Sequence, residues 1–417
     1  MIILNRIKIF AAIVIIPLIF FGCFQKKEVA IPDRSPSEEI EAGDVEAQEP
    51  VIKDIEQVEE EDIKQPDIIK KERKVIIGCM LPLSGKYQKI GKRALNGLEF
   101  AVYDFNNRHA GLFSAKLLIQ DTAGATEQAL AGLKELAQAK VSAVIGPMIA
   151  VGPEVQNKAI DYKLPLILLS NKSKIEQSED FIFRNFLTPQ NQVEAIVSYA
   201  ILELGIKRFA VLYPDENYGR DFMKLLNGEL EKHNGYVSAA AAYDINAVDF
   251  SDYVKRLILQ SVNFEAIFIP DVPEKAGLII PHLAYNDIRN IYIFGTNLWH
   301  SPKLVRTISN NTKGVIIPDG FFAEAEKNEV REFSESFEAV YANKPQFIEA
   351  VAYDTANFLL ETTARVEGKL FSSISDGLKN IQGYDGVAGL RCFDGFGEAV
   401  KNIYLLRLGA SGFQEIK

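Results

Sequence analysis

The residues best placed to do chemistry sit where short apolar runs end. Ser84 closes the run Val75–Leu81, and Ser170, Asn171 and Lys172 follow Pro165–Leu169. Tyr218 follows Arg208–Tyr213, Asp271 follows Ala266–Ile269, and Asn297 and Trp299 follow Ile291–Phe294. Hydroxyls, amides, a carboxylate, a cation and an indole in such places can hydrogen-bond, pair with or stack on a small molecule. They do not compose a catalytic set. Ser84 lacks the G-x-S-x-G elbow. Gly85 and Gly91-Lys92-Arg93 miss both the P-loop spacing and its final Ser or Thr. His109, His233, His282 and His300 show neither HExxH nor paired-ligand spacing, so no metal or cofactor is expected. Ser411 lies in Gly409-Ala410-Ser411-Gly412, a terminal turn. Cys79 and Cys392 fall in strand-like runs and read as buried, inert thiols, and three cysteines make no disulfide framework. The expectation is binding without covalent chemistry, not an enzyme. Each polar residue also has a plainer role as a cap or turn residue, Ser170 and Asp215 above all.

Elements must hold these residues, and the spacing predicts them. Strand Val75–Leu81 leads through Pro82-Leu83-Ser84-Gly85 into helix Gly91–Asn106. Strand Lys116–Gln120, helix Thr126–Ala139, strand Ala143–Ile145, helix Pro153–Tyr162 and strand Pro165–Leu169 follow. A second series alternates helices Asn191–Leu204, Tyr218–His233, Asp249–Gln260 and Glu274–Tyr285 with strands Arg208–Tyr213, Tyr236–Ala241, Ala266–Ile269 and Ile291–Phe294. A third block holds strand Val315–Ile317, helices Asn328–Tyr341 and Ile348–Val366, and strands near Val387–Phe393 and Asn402–Leu408. Such alternation means α/β architecture, with two doubly wound parallel-sheet lobes. In open sheets of this kind ligands lie beyond the carboxyl ends of the strands. Unpaired amides and the helix dipole there favour an anion.

The N-terminus reads differently. Arg6 and Lys8 precede the apolar run Ile9–Phe21, which is shorter than the roughly 20 residues a spanning helix needs and suits a signal peptide. Gly22-Cys23 closes it, like a lipobox whose Cys23 is lipidated, although Phe20 and Phe21 depart from that pattern. An uncleaved anchor or an ordinary export signal are the alternatives. Residues 24–73 carry sixteen acidic and eight basic residues, with Pro32, Pro36, Pro50 and Pro66 among them. Without an apolar period they are expected to form a disordered acidic linker, the alternative being a helical arm over Ile52–Lys71. The whole chain of 417 residues has net charge -10 and is 47% hydrophobic. Most of that charge lies in the linker, so the body has no basic footprint and nucleic acid is not an expected partner.

The body resembles a family. Ile77-Gly78-Cys79-Met80-Leu81-Pro82-Leu83-Ser84-Gly85, then Gly91, Asn96-Gly97, Asp121-Thr122, Ala143-Val144-Ile145-Gly146-Pro147, Phe183-Arg184-Asn185, Phe209-Ala210-Val211-Leu212-Tyr213, Tyr218-Gly219 and Phe393-Asp394 are similar to type I periplasmic binding proteins of the leucine-binding kind. A narrower likeness, to penicillin-binding protein activator lipoproteins, shows in Leu187-Thr188-Pro189-Gln190-Asn191-Gln192, Gly295-Thr296-Asn297 and Asp319-Gly320-Phe321-Phe322. The family resemblance implies two lobes joined by three hinge crossings, near Asn185–Pro189, Ile317–Gly320 and Gly386–Arg391. It divides the chain into a signal peptide (1–23), a linker (24–73), lobe 1 (74–186 plus 318–388) and lobe 2 (187–317 plus 389–417).

The resemblance also implies a small polar ligand, amino-acid-like or anionic, in the interlobe cleft, for uptake or sensing. Ser84, Met148, Ser170, Asn171, Lys172, Tyr218, Asp271, Asn297 and Trp299 are its expected contacts, with Asp271 best placed for an ammonium. Amino-acid-binding relatives carry hydroxyl residues after Gly-Pro. Met148-Ile149-Ala150-Val151 stand there in this chain. The implied setting is the periplasmic face of a bacterial membrane, through a lipid on Cys23. The outer membrane is favoured because Phe24 is not Asp. An ABC permease is the partner implied by transport. The alternative is a docking lipoprotein that regulates a peptidoglycan synthase.

Overall fold

Residue 72 begins the described part of this computed structural model, which runs to 416 without 150–151, 172–179, 262, 302–303, 306–313, 369, 371 and 410. Cys23, the signal peptide and nearly all of the linker lie outside the described residues, and so does Lys172. Residues 68–417 hold together as one unit.

The first apolar run becomes β1 (Arg73–Leu81), the strand around which the first sheet is built. With β2 (Phe113–Asp121), β3 (Val144–Ile145), β4 (Leu166–Leu168) and β5 (Ile182–Arg184) it forms a five-stranded parallel sheet of order β2-β1-β3-β4-β5. Helices α1 (Gln88–Arg108), α2 (Thr126–Gln138) and α3 (Pro153–Asp161) connect the strands. The next series is α4 (Pro189–Leu202), β6 (Arg208–Pro214), α5 (Asn217–Lys232), β7 (Tyr236–Tyr243), α6 (Ser251–Gln260), β8 (Ala266–Phe268), α7 (Pro273–Tyr285), β9 (Tyr292–Phe294) and β10 (Gly314–Asp319). Its strands run β7-β6-β8-β9-β10, which repeats the order of the first sheet. Then come α8 (Asn328–Tyr341), α9 (Phe347–Glu367), α10 (Ile374–Asn380), β11 (Leu390–Phe393), β12 (Ala399–Lys401), β13 (Tyr404–Gly409) and β14 (Gly412–Glu415). Strands β13 and β14 join β10 antiparallel, so the second sheet has seven strands and is mixed rather than purely parallel.

Each sheet is buried by helices on apolar stripes. The α1 stripe Ala94, Leu98, Ala101 and Phe105 is fully buried. On the same helix Phe100 meets Phe333, Phe337 and Tyr341 edge-on and Tyr353 at a tilt, at 5.5 to 6.4 Å between ring centres. That cluster fastens α8 and α9, which come late in the chain, onto the first sheet. Aromatic pairs of this geometry add about 0.5–1.5 kcal/mol each beyond the area they bury.

The chain changes sheets after β5, after β10 and after β12. The third change corrects the expected crossing at Gly386–Arg391. The hairpin β11–β12 stays with the first sheet: Arg184 and Glu398 share a parallel bridge, their side chains pair at 2.5 and 2.8 Å, and Phe393 meets Phe183 at 5.1 Å. Asn402 and Ile403 then lead into β13.

A polar knot sits under these crossings. Asp354 on α9 has no exposed surface and accepts from the amides of Val387 and Ala388, at 2.8 Å each. Lys401 turns its ammonium inward onto Asn185 Oδ1 at 2.7 Å, and Asn185 donates to Thr355 Oγ1 at 2.9 Å. Burial pushes the Asp354 carboxyl up, against the pull of Lys401 and the amides. Burial likewise pulls the Lys401 ammonium down, against the pull of Asp354. The two charges act on each other through the field rather than by contact, and removing the buried carboxylate strands two amides and leaves the ammonium without its counter-charge, at a cost of about 3–5 kcal/mol. Urea unfolding of Asp354→Ala should show a loss of that order. Adding Lys401→Met to it should return part of the loss; a purely additive double variant would show that the two charges do not depend on each other.

Candidate functional site

The carboxyl ends of the parallel strands in both sheets meet one cleft of about 1250 Å³. Met148 and Ile149 reach it from the loop after β3, Leu169, Ser170 and Asn171 from the loop after β4, and Phe186 and Leu187 from the first crossing. Gln192 enters from α4, Tyr218 and Phe222 from α5, and Asn297, Leu298 and His300 from the turn after β9. The order β2-β1-β3-β4-β5 puts the switch point of each sheet beside its first strand, where ligands of open α/β sheets collect.

Five of the expected contacts, Met148, Ser170, Asn171, Tyr218 and Asn297, therefore line one cavity. Gly219 lets α5 start close under β6: a Cβ there would lie 2.2 Å from the Pro214 carbonyl oxygen. Tyr218 beside it is half-buried and donates to Thr296 Oγ1 at 3.4 Å. Burial pushes its phenol up to about 12, so it stays a donor through neutral pH. The amide of Asn297 donates to Gln192 Oε1 at 2.9 Å, which ties the turn after β9 to α4.

Ser84, Asp271 and Trp299 do not line the cavity, and each has a physical reason. Asp121 gathers the backbone amides of Leu83 and Ser84, at 2.8 and 3.2 Å, and the Ser84 hydroxyl as well. Asp271 accepts from Tyr243 Oη at 2.5 Å and from the Val272 amide at 2.6 Å, so its carboxylate is turned into the second lobe. The Tyr243 phenol is driven well above its usual range by burial and by that bond. Trp299 has no exposed surface and donates Nε1–H to the Asp271 carbonyl oxygen at 2.7 Å. Its ring lies on Gly295, where a Cβ would come within 2.2 Å of Cδ2. The indole is a wedge that braces the loop beneath the cleft. Lys172 is outside the described residues.

The profile of a family described as periplasmic binding protein matches residues 74–413. The chain belongs to the periplasmic binding protein family. Solved structures share the fold. A protein described as a branched-chain amino acid ABC transporter of Rhodospirillum rubrum is 20% identical, with a TM-score of 0.75 over 82% of this chain and 99% of that one. The branched-chain amino acid transporter substrate-binding protein of Streptococcus pneumoniae, solved with isoleucine, is 22% identical, with a TM-score of 0.59 over 83% and 100%. An ABC transporter substrate-binding protein of Desulfitobacterium hafniense, solved with leucine, is 19% identical, with a TM-score of 0.64 over 82% and 100%. No curated protein matches this chain. The family is one of binding proteins.

Several cleft residues of this periplasmic binding protein have no local sequence signal. Arg93 on α1 meets Glu349 on α9 through two bonds of 2.5 and 2.6 Å, between residues 256 apart. Glu349 also caps its own helix through Gln346. Phe186 and Phe347 cross edge-on at 5.1 Å along the cleft. A pattern of Arg and Glu at helix starts exists in the sequence, but nothing local says they meet. Among the described residues no cluster of His, Cys, Asp or Glu could hold a metal. Cys79 and Cys392 are free thiols, and burial pushes Cys79 up to about 12, which leaves it a poor nucleophile.

The Trp299 wedge gives a direct test. Gly295→Ala should force the indole off its seat and lower stability by about 1–3 kcal/mol, the usual effect of overpacking. Thermal unfolding of the variant measures this, and an unchanged midpoint would show that the wedge yields freely.

Proposed function

We propose that this protein closes its two lobes, 74–186 with 318–401 and 187–317 with 402–417, on a small amino-acid-like ligand that carries a carboxylate, and performs no covalent chemistry on it. The observation that supports this reading is the convergence of Met148, Ser170 and Asn171 from one sheet with Tyr218 and Asn297 from the other on a single cleft. Loop amides and a neutral phenol supply donors, and Phe186, Phe347 and Ile149 supply an apolar wall. That is the mixture small-ligand sites use. The likeness to proteins solved with leucine and isoleucine makes branched-chain amino acids the first ligands to test. Delivery to an ABC permease, or sensing, is the use this binding serves.

Calorimetric titration of residues 74–417 with isoleucine, leucine and other amino acids tests the reading. Truncating a buried polar contact costs about 1–3 kcal/mol, which is roughly a 5- to 150-fold weaker Kd for Tyr218→Ala. Asp271→Ala should instead lower stability and leave Kd nearly unchanged, because its carboxylate serves Tyr243. Equal Kd values for wild type and Tyr218→Ala would remove this face of the cleft from the site.

The same proposal sets the protein at the periplasmic face of a membrane, the outer one in preference, held by a lipid on Cys23. No helix among the described residues is long and apolar enough to cross a membrane. If the lipid on Cys23 is the anchor, Cys23→Ala should release the protein from the membrane fraction or leave it unprocessed. A wild-type protein without lipid and free in the soluble fraction would overturn the anchor.

A second reading, docking to a peptidoglycan synthase, is supported by one observation. The carboxylate expected to pair with a ligand ammonium, Asp271, is committed to Tyr243 and Val272. On that reading no amino acid titrates and partner binding survives Tyr218→Ala.

A further inference from the structure

Three basic residues line the cleft among the described residues: Arg93, Lys344 and His300. Arg93 is held in both directions by Glu349, and Lys344 lies 3.3 Å from Glu324. His300 is arranged differently. Its Nδ1 meets Asp319 Oδ2 at 2.6 Å, while Nε2 has no hydrogen-bond partner among the described residues. The side chain is 31% exposed and lines the cavity, within reach of what enters it. Asp319 itself is 4% exposed, and its other oxygen accepts from the amides of Gly320 and Phe321 at 2.6 and 3.4 Å. Phe322 and Phe413 stand at 5.9 and 5.3 Å from the imidazole and limit its swing. A ring fixed at one nitrogen by a buried carboxylate and open at the other is a preorganised donor.

We propose that His300 is the group that takes a ligand's carboxylate in this cleft, through Nε2–H, and that Asp319 is the positioning residue that turns the ring and supports its charge. The inference rests on the reading of the cleft as a site for a carboxylate-bearing ligand. The charged groups around the ring are Asp319 from β10, Glu324 from the loop after it, and Lys344 beyond Glu324. Strand β14 contributes Phe413, and α1 brings Arg93, already paired, to the same cavity. Burial works against the imidazolium, but the hydrogen bond and charge of Asp319, with Glu324, outweigh it and hold the pKa above the ordinary value. The sign follows. A raised folded pKa means that the charged pair is fully present below the unfolded value near 6.5 and is lost as pH rises through the folded one. Carboxylate affinity should fall over the same interval.

The experiment follows the four imidazoles by NMR during pH titrations with and without sodium acetate, the smallest carboxylate probe. Acetate should raise the His300 pKa and shift its signals saturably, while His109, His233 and His282 stay put. Asp319→Asn should lower the His300 pKa and weaken that response. If His300 titrates identically with and without acetate, the inference is overturned whether or not any amino acid binds. Calorimetry with isoleucine then separates the two claims. If isoleucine fails to bind while acetate still moves His300, the amino-acid reading falls and the carboxylate site stands. If isoleucine binds, His300→Gln should weaken it about 10- to 100-fold at low pH and flatten its pH dependence. Isoleucinamide, which lacks the carboxylate, should show no such dependence. Equal pH slopes for isoleucine in wild type and His300→Gln would also sink the proposal.

Discussion

A carboxylate sealed from water must be answered by donors, and Asp354 is the residue around which this structure answers. It draws the amides of Val387 and Ala388 onto the side of α9. That fixes the loop from which the hairpin β11–β12 starts, and the hairpin ends in Lys401. The ammonium of Lys401 closes on Asn185 at the first crossing, and Thr355, the next residue of α9, closes on Asn185 from the other side. One buried charge thus ties the first and third crossings to the helix whose start, Gln346 to Ile348, forms part of the cleft floor. Buried charges of this kind contribute little net stability over apolar substitutes, but they penalise any arrangement in which their donors or counter-charge are withdrawn.

The cleft obeys the same rule of committed charges. Arg93 belongs to Glu349, Lys344 to Glu324, and Asp271 to Tyr243. The polar side chains that face a guest are those of Tyr218, Asn297, Ser170, Asn171 and His300. Aromatic walls from Phe186 and Phe347 lower the local dielectric, so polar groups there act more strongly than they would in water. Selectivity in such a site comes from a small number of groups held still by partners the ligand never touches.

Much of this was legible in the sequence, for physical reasons that also mark the limit. Long elements with a clear period, such as β1, α1, α5 and α9, were predicted within a few residues of where they lie. The three-residue strand β5 was not, because Ile182-Phe183-Arg184 are all buried and too short to show a period. Short hairpin strands β12 and β14 were missed likewise, and the third crossing was placed early because the Arg184–Glu398 pairing joins residues 214 apart. Loops of the cleft were legible because strand ends are. Side-chain directions were not. Nothing local says that Asp271 turns to Tyr243, that a short 3₁₀ turn drives Trp299 inward, or that His300 finds Asp319.

The placement of β13 and β14 carries a consequence for how the chain is made. These strands, Tyr404–Gly409 and Gly412–Glu415, complete the edge of a sheet whose other strands are finished by Asp319. Between the two, the chain goes back to build α8, α9 and the hairpin on the first sheet. A chain emerging from its N-terminus therefore leaves β10 as an open parallel edge for about eighty residues of synthesis, and the second sheet is completed only after the first sheet has received its hairpin. Loss of β13 and β14 alone would expose that edge permanently. Quality control that tests the exposed edge of this sheet would thereby read whether β13 and β14 had been added.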